Sequence, residues 1–374
     1  MGARSIPPPP LVIRRVLHVA WPFVGVVVTG LAVPVIVLGA FMVVVDRRAR
    51  LFRAACLAIV LMWVDIRMLV RCWILWSRSP DHSSPTWNED HERLFSQALD
   101  SLMYYARRWV GLEVKLTDRM HFGSDAVPLL ALARHAGPAD SLAVAWLLAR
   151  TAGRLPRIVL AEALRWDPGV DTILTRLQSF FVPSSSGAGE DRLAGITRMA
   201  STMTANDVFL IFPEGQNWTP GRRAGIIRRL RERGDHARAR RAEELRNVLP
   251  PRSRGAWAAR SARPEADVLV LAHAGLARLS TPRHVWDALP FDDRPFLVKT
   301  WTYAADTVPL ERDAFAAWLD ERWGEVDAWV EENAAPWPSG SGPEASGPEA
   351  SGPEASSITT TTPSTTPTTE RTVR

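Results

Sequence analysis

Val16 to Val45 contains no Asp, Glu, Lys or Arg. A helix of that length exceeds the roughly 20 apolar residues needed to cross a bilayer. It is also too long for the apolar core of a secretory signal, and no small-residue cleavage site follows it. The chain is therefore expected to begin with a helix held against lipid. Pro22 and Pro34 predict either a kinked, tilted span or a shallow re-entrant hairpin. Arg14 and Arg15 precede the run, and Arg47, Arg48 and Arg50 follow it. Arginines at both ends give no single orientation, but a hairpin with both ends cytoplasmic satisfies the positive-inside rule. The expected location is the inner, cytoplasmic face of the cell membrane.

The next segment, Leu51 to Trp76, is apolar but interrupted by Arg53, Asp65, Arg67 and Arg71. On a helix, Arg53, Arg67, Arg71 and Arg78 fall within about 40° of one another. With Trp63, Trp73 and Trp76 alongside, this stripe suits a helix lying in the headgroup plane. The other reading is a buried helix of the following domain. Cys56 and Cys72, the two cysteines, both lie here, which excludes a disulfide framework and a cysteine-based zinc site and leaves buried filler as their role.

Charge is uneven along the chain. Of the whole formal charge of +5, the stretch Thr219–Arg263 alone carries fourteen arginines against four acidic residues. Such a block suits anionic headgroups or a phosphate-bearing substrate. A solvated arginine-rich helix pair is the plain reading. No zinc-finger spacing, RNP pattern or helix-turn-helix signal accompanies it, so nucleic acid is not an expected partner.

From about His91 to Asn333, short apolar runs alternate with helical stretches. Strands are predicted at Val127–Leu132, Arg157–Ala161, Phe180–Pro183, Val208–Phe212, Val268–Ala272 and Phe296–Trp301. Helices are predicted at Ser141–Thr151, Leu193–Met203, His236–Asn247 and Arg312–Glu332. The fold class is an α/β layered domain with a mixed sheet flanked by helices. Expected boundaries are an N-terminal tail at 1–15, membrane-associated helices at 16–78, a linker at 79–90, the α/β domain at 91–333 and a disordered tail at 334–374. That tail holds three SGPEA repeats and a Thr/Pro/Ser tract, too polar to offset its ordering entropy.

Two constellations carry chemistry. In Arg134-His135-Ala136-Gly137-Pro138-Ala139-Asp140, a His precedes an Asp by five positions. Chance alone supplies about 0.5 such pairs in a chain of this composition, so spacing is weak support. Within one helix the two side chains would diverge by about 140°. Gly137 and Pro138 break the helix between them, placing His135 on a turn and Asp140 in a first helical turn. The carboxylate can then orient the imidazole as it does for a histidine general base. The plain readings are a surface turn histidine and a simple N-cap. Phe212-Pro213-Glu214-Gly215 ends an apolar run and arises by chance with expectation about 0.003. It reads as a tight turn at the sheet edge, where α/β domains bind ligands. His273 ends another apolar run and reads as a core or edge residue; His121, His236 and His284 have no companions that suggest a site.

These two blocks, in this order, resemble the glycerolipid acyltransferase family that includes lysophosphatidic acid acyltransferases, with its HX4D and FPEG motifs. Val248-Leu249-Pro250-Pro251-Arg252-Ser253-Arg254-Gly255 is similar to a further stretch of that family. The resemblance implies that His135 is the general base, oriented by Asp140, for attack of an acceptor hydroxyl on an acyl thioester. The donor would be acyl-CoA or acyl carrier protein, with no cofactor, no metal and no covalent enzyme intermediate. The acceptor would be a lysophospholipid such as 1-acylglycerol-3-phosphate, with Glu214 and Gly215 helping to position it.

The chain departs from the family where phosphate is gripped. Gln216 and Asn217 stand where the family has Thr-Arg, and Ser184, Ser185 and Ser186 follow Phe180–Pro183 where an arginine is usual. Arg192, Arg222, Arg223, Arg252 or Arg254 are the expected substitutes, since a guanidinium fork grips phosphate bidentately. Two other readings stay open: a lipid-binding membrane protein on the same fold without activity, and an acyltransferase for an acceptor lacking phosphate.

Overall fold

The computed structural model describes residues 7–79, 81–82, 84–183, 189–275, 286–291, 295–333 and 371–372. Ser184–Ser186 and the tail lie outside them, apart from the two-residue strand noted below.

Helix α1 runs unbroken from Leu11 to Met42 through both prolines. The hairpin turn comes after it, at 43–49, where Ala49 takes a left-handed φ of 52°. Helix α2, Arg50–Arg78, then returns alongside. Trp21 Nε1 donates to Asp65 Oδ2 at 2.6 Å and Trp63 Nε1 to Thr29 Oγ1 at 2.9 Å, which fixes an antiparallel pair. Among the residues of α1, only Gly25 and Gly39 are buried. Phe23, Leu31 and Phe41 are 71%, 71% and 75% exposed, so the outward face of α1 is apolar. By length and composition, Leu11–Val44 is long and apolar enough to cross a membrane. Ile66 of α2 packs against Gly25 of α1, while Met68 and Cys72 join the core of the domain. Arg53 Nη1 donates to Trp109 O and Arg71 Nη1 to Gln97 Oε1, so α2 is tied to the next helix by its own arginines, while Arg14 of α1 pairs with Asp171 of the domain.

That helix, α3, spans Pro85–Val110 and starts inside the stretch read as a linker. Ser84 caps it by accepting from Trp87 N, Pro85 takes the first-turn position, and Gly111 closes it at φ 73°. The sequence strands all form, with shifted ends: β2 Leu129–Ala133, β3 Leu155–Ala161, β4 Phe180–Val182, β5 Asp207–Ile211, β6 Asp267–Ala274 and β7 Phe296–Tyr303. A short β1, Val114–Leu116, has too few residues to show alternation. The seven strands lie in the order β4-β3-β5-β2-β6-β7-β1, and β8, Arg371–Thr372, pairs outside β1. Neighbours are parallel except β6–β7 and β1–β8, so the sheet is mixed.

Helices cover both faces. On one, Leu129, Ala131 and Ala133 of β2 join a core with α3, α4 (Pro138–Leu147) and α5 (Pro168–Arg176). On the other, Leu130 and Leu132 meet α6 (Gly189–Ser201), α9 (Ser253–Ala262) and α10 (Arg312–Asn333). All five residues of β2 are buried, which is why its apolar run is continuous rather than alternating. The arginine-rich region forms α7, Pro220–Glu232, and α8, His236–Glu244, while the predicted helix at Ser141–Thr151 begins earlier, at Pro138, and ends in a π turn, Leu148–Ala152. The arginine-rich helix pair read from the charge pattern thus forms as α7 and α8; sequence alternation did not mark α5 or α9.

Candidate active site

Strand register assembles the site. In the parallel pair β2–β5, Leu132 lies opposite Ile211, so the third residues onward, His135 and Glu214, leave the sheet level with each other. In β2–β6, Ala133 lies opposite Leu271, which sets His273 level with His135. Three residues distant in sequence thus meet at the carboxyl ends of three adjacent strands, where open α/β sheets hold their ligands.

After β2 the backbone turns at Gly137, fully extended at φ −170°, and α4 begins at Pro138. Asp140 sits in its first turn and reaches back: Oδ2 accepts from the backbone N–H groups of Ala136 and Gly137, the latter at 2.8 Å. Oδ1 lies 3.1 Å from His135 Nδ1 and also accepts from Ser141 Oγ at 3.2 Å. Asp140 therefore caps the helix and holds the imidazole together; the two readings of this residue are one geometry. A carboxylate acceptor at Nδ1 selects the tautomer with hydrogen there and leaves Nε2 as the basic nitrogen. Asp140 is fully buried, and burial resists its ionisation. Hydrogen bonds from His135 and His273 outweigh that and hold its carboxyl below the usual range. His135 is half-buried, its ring against Phe212 at 4.7 Å between centroids.

Glu214 does not face solvent. It is 1% exposed, and Oε1 accepts from His135 N at 2.9 Å while Oε2 accepts from Leu249 N at 2.8 Å. One carboxylate thus joins the histidine turn to the Val248–Gly255 stretch. Burial pushes its pKa up to about 7 against the opposing pull of Arg134 and the two N–H groups. Arg134 is buried as well, donating to Asn247 O at 2.8 Å and to His273 O at 2.7 Å. Gly215 closes the turn at φ 68°, its N–H donating to Phe212 O. A Cβ there would lie 3.2 Å from the Arg252 guanidinium, so glycine meets both a conformational and a steric demand.

His135 and Gly215 line a cavity of about 1750 Å³. Apolar side chains of α2 and α3, among them Val64, Met68, Phe95 and Leu99, form part of its wall. Arg192, Arg252 and Arg254 form another part, and Gln216 and Asn217 line it too. Arg252 is exposed as a residue, but its guanidinium packs over Gly215; this desolvation, then the nearby Arg229 and Arg192, lower its pKa. Arg222 and Arg223 lie elsewhere: Arg222 donates to Asn217 O at 3.0 Å, and Arg223 to Glu243 O at 2.7 Å and to Leu245 O. Of the five arginines nominated from sequence, the cavity wall holds Arg192, Arg252 and Arg254. Sequence reasoning passed over Arg134 and read His273 as a core or edge residue without its tie to Asp140, because the signal for each is a strand register. Among the described residues, no three His, Cys, Asp or Glu side chains are placed to hold a metal ion.

The family model described as Acyltransferase matches residues 114–251, from β1 to the second proline after Leu249. This match supports an acyl-transfer function in general. No curated protein and no solved structure matches the chain.

Proposed function

We propose, from the acyltransferase match over residues 114–251, that the protein is a membrane-associated O-acyltransferase. It moves an acyl group from acyl-CoA or acyl carrier protein to the hydroxyl of a lysophospholipid such as 1-acylglycerol-3-phosphate. The observation that carries this reading is an Asp-oriented histidine on the wall of a large cavity that is apolar in one part and arginine-lined in another. His135 Nε2 removes the proton from the acceptor hydroxyl, and the oxygen attacks the thioester carbonyl carbon. The C–O bond forms, the C–S bond breaks, and the proton on His135 passes to the departing thiolate. Asp140 stabilises the imidazolium in between. Glu214 and Gly215 hold the turn beside the base, and Arg252 and Arg254 receive the acceptor's phosphate in place of the family arginine. The reading calls for no cofactor.

The test is CoA release from a long-chain acyl-CoA by the purified protein in vesicles, against lysophosphatidic acid, neutral lysophospholipids and monoacylglycerol. Turnover requires an acceptor hydroxyl and is fastest with the phosphate-bearing acceptor. Arg252→Ala raises the KM for lysophosphatidic acid by about 10- to 100-fold, the worth of a charge-assisted hydrogen bond, and leaves the KM for monoacylglycerol alone. Acceptor-independent CoA release would overturn the transfer reading, and equal KM changes for both acceptors would dismiss Arg252 as a phosphate ligand.

Membrane attachment rests on the outward face of α1. Placing Asp at Phe23, Leu31 and Phe41 together costs about 3 kcal/mol per charge in a bilayer while touching no protein core. The wild-type chain floats with liposomes and the triple variant stays in the soluble fraction; unchanged flotation would remove α1 as the anchor.

A further inference from the structure

His273, at the end of β6, is fully buried and adjoins the carboxylate that orients His135. Its Nε2 lies 2.8 Å from Arg134 O and 3.4 Å from Asp140 Oδ2. Both neighbours are acceptors, so the ring carries its hydrogen on Nε2 and shares it between them. Nδ1 has no hydrogen-bond partner among the described residues. The ring packs against Phe296 at 4.9 Å, and its backbone carbonyl accepts from Arg134 Nη1. An apolar side chain would fill this space without burying an unpartnered nitrogen, so what the imidazole contributes is the N–H.

We infer that His273 is a positioning residue for the transfer: its Nε2–H fixes Asp140 and the Arg134 carbonyl together, and so sets where the His135 ring stands. The inference rests on the reading of His135 as the base. Asp140 is anchored from its own turn by Ala136 and Gly137; His273 is the side chain that grips it from another strand. Arg134 immediately precedes His135, so the same N–H steadies both ends of the base–carboxylate pair. Burial favours the neutral ring, with Asp140 opposing it, in keeping with an N–H donor rather than a second cation.

The test compares His273→Gln, His273→Asn and His273→Phe in the full chain in vesicles, by CoA release and thermal melting. Glutamine can place an amide N–H where Nε2 stood, asparagine places it near Nδ1, and phenylalanine keeps the packing alone. The expected result is a kcat lowered about 10- to 100-fold in His273→Phe and His273→Asn, the usual scale for a group that orients a catalytic ligand. KM values stay within about twofold, as expected for loss of a contribution made in the transition state. His273→Gln recovers most of the kcat even if its melting temperature falls with the others. Equal kcat in the glutamine and asparagine variants, or wild-type kcat in His273→Phe, would overturn the inference. His135→Ala is measured in parallel: if it stays active the base reading fails, and if it is dead while His273→Phe is fully active only the role of His273 fails.

Discussion

His135→Ala is expected to lower acyl transfer by about 10²- to 10⁴-fold, the range over which a positioned general base contributes. The fold should survive the change. The His135 side chain is 18% exposed and its ring stacks on Phe212 rather than filling a core. The backbone contacts, N–H to Glu214 Oε1 and carbonyl from Trp218 N, do not need the imidazole. Liposome flotation should therefore match wild type, with the melting temperature lowered only by what the buried Asp140 loses with its His135 hydrogen bond, while thiol release from a long-chain acyl-CoA disappears. A variant that retained turnover would exclude this histidine as the base.

Glu214→Ala is expected to act on stability first. The substitution leaves two buried N–H groups, of His135 and Leu249, without acceptors and deprives the buried Arg134 of a neighbouring carboxylate. Together these losses amount to about 3–5 kcal/mol. Denaturant titration should show the lower midpoint, and activity should fall because the His135 turn loses its tie to the Val248–Gly255 stretch. A midpoint equal to wild type would mean that the carboxylate does not hold the two segments together.

The same residue predicts a pH dependence of stability. Its carboxyl, raised from 4.5 to about 7 in the folded protein, binds a proton more tightly there than in the unfolded chain. Between those values the folded state holds more protons, so this contribution to stability falls as pH rises through the window. Asp140 works the other way: its carboxyl is held low, so its contribution is complete above the unfolded carboxylate range and is lost as pH falls below it. Glu214→Gln removes the first dependence and leaves the second. A stability profile between about pH 4.5 and 7 that is unchanged by Glu214→Gln would contradict the buried, proton-binding carboxyl.

Much of the fold was legible because its signals are local. A continuous apolar strand such as β2 and the Gly137-Pro138 break before α4 depend on neighbours within a few residues. Part of the stretch read as a linker at 79–90 opens α3, for a related reason. Its polar, proline-punctuated residues are what a helix cap contains, and Ser84 with Pro85 opens α3. The arginines of α2 pointed to the headgroup plane because their stripe is visible in sequence; their partners, Trp109 O and Gln97, are on a helix the sequence left undefined.

By itself, the sequence determined an apolar N-terminal helix, an α/β succession, and a histidine and aspartate arranged across a helix start so that one can hold the other. Only the tertiary structure decided that Glu214 is buried and ties the His135 turn to Leu249, that Arg252 and not Arg223 lines the cavity, and that His273 adjoins Asp140. The physical reason is that the residue facing His135 is set by the hydrogen-bond register of β2 with β5 and β6. That register emerges from packing both faces of the sheet at once, and no short stretch of chain encodes it.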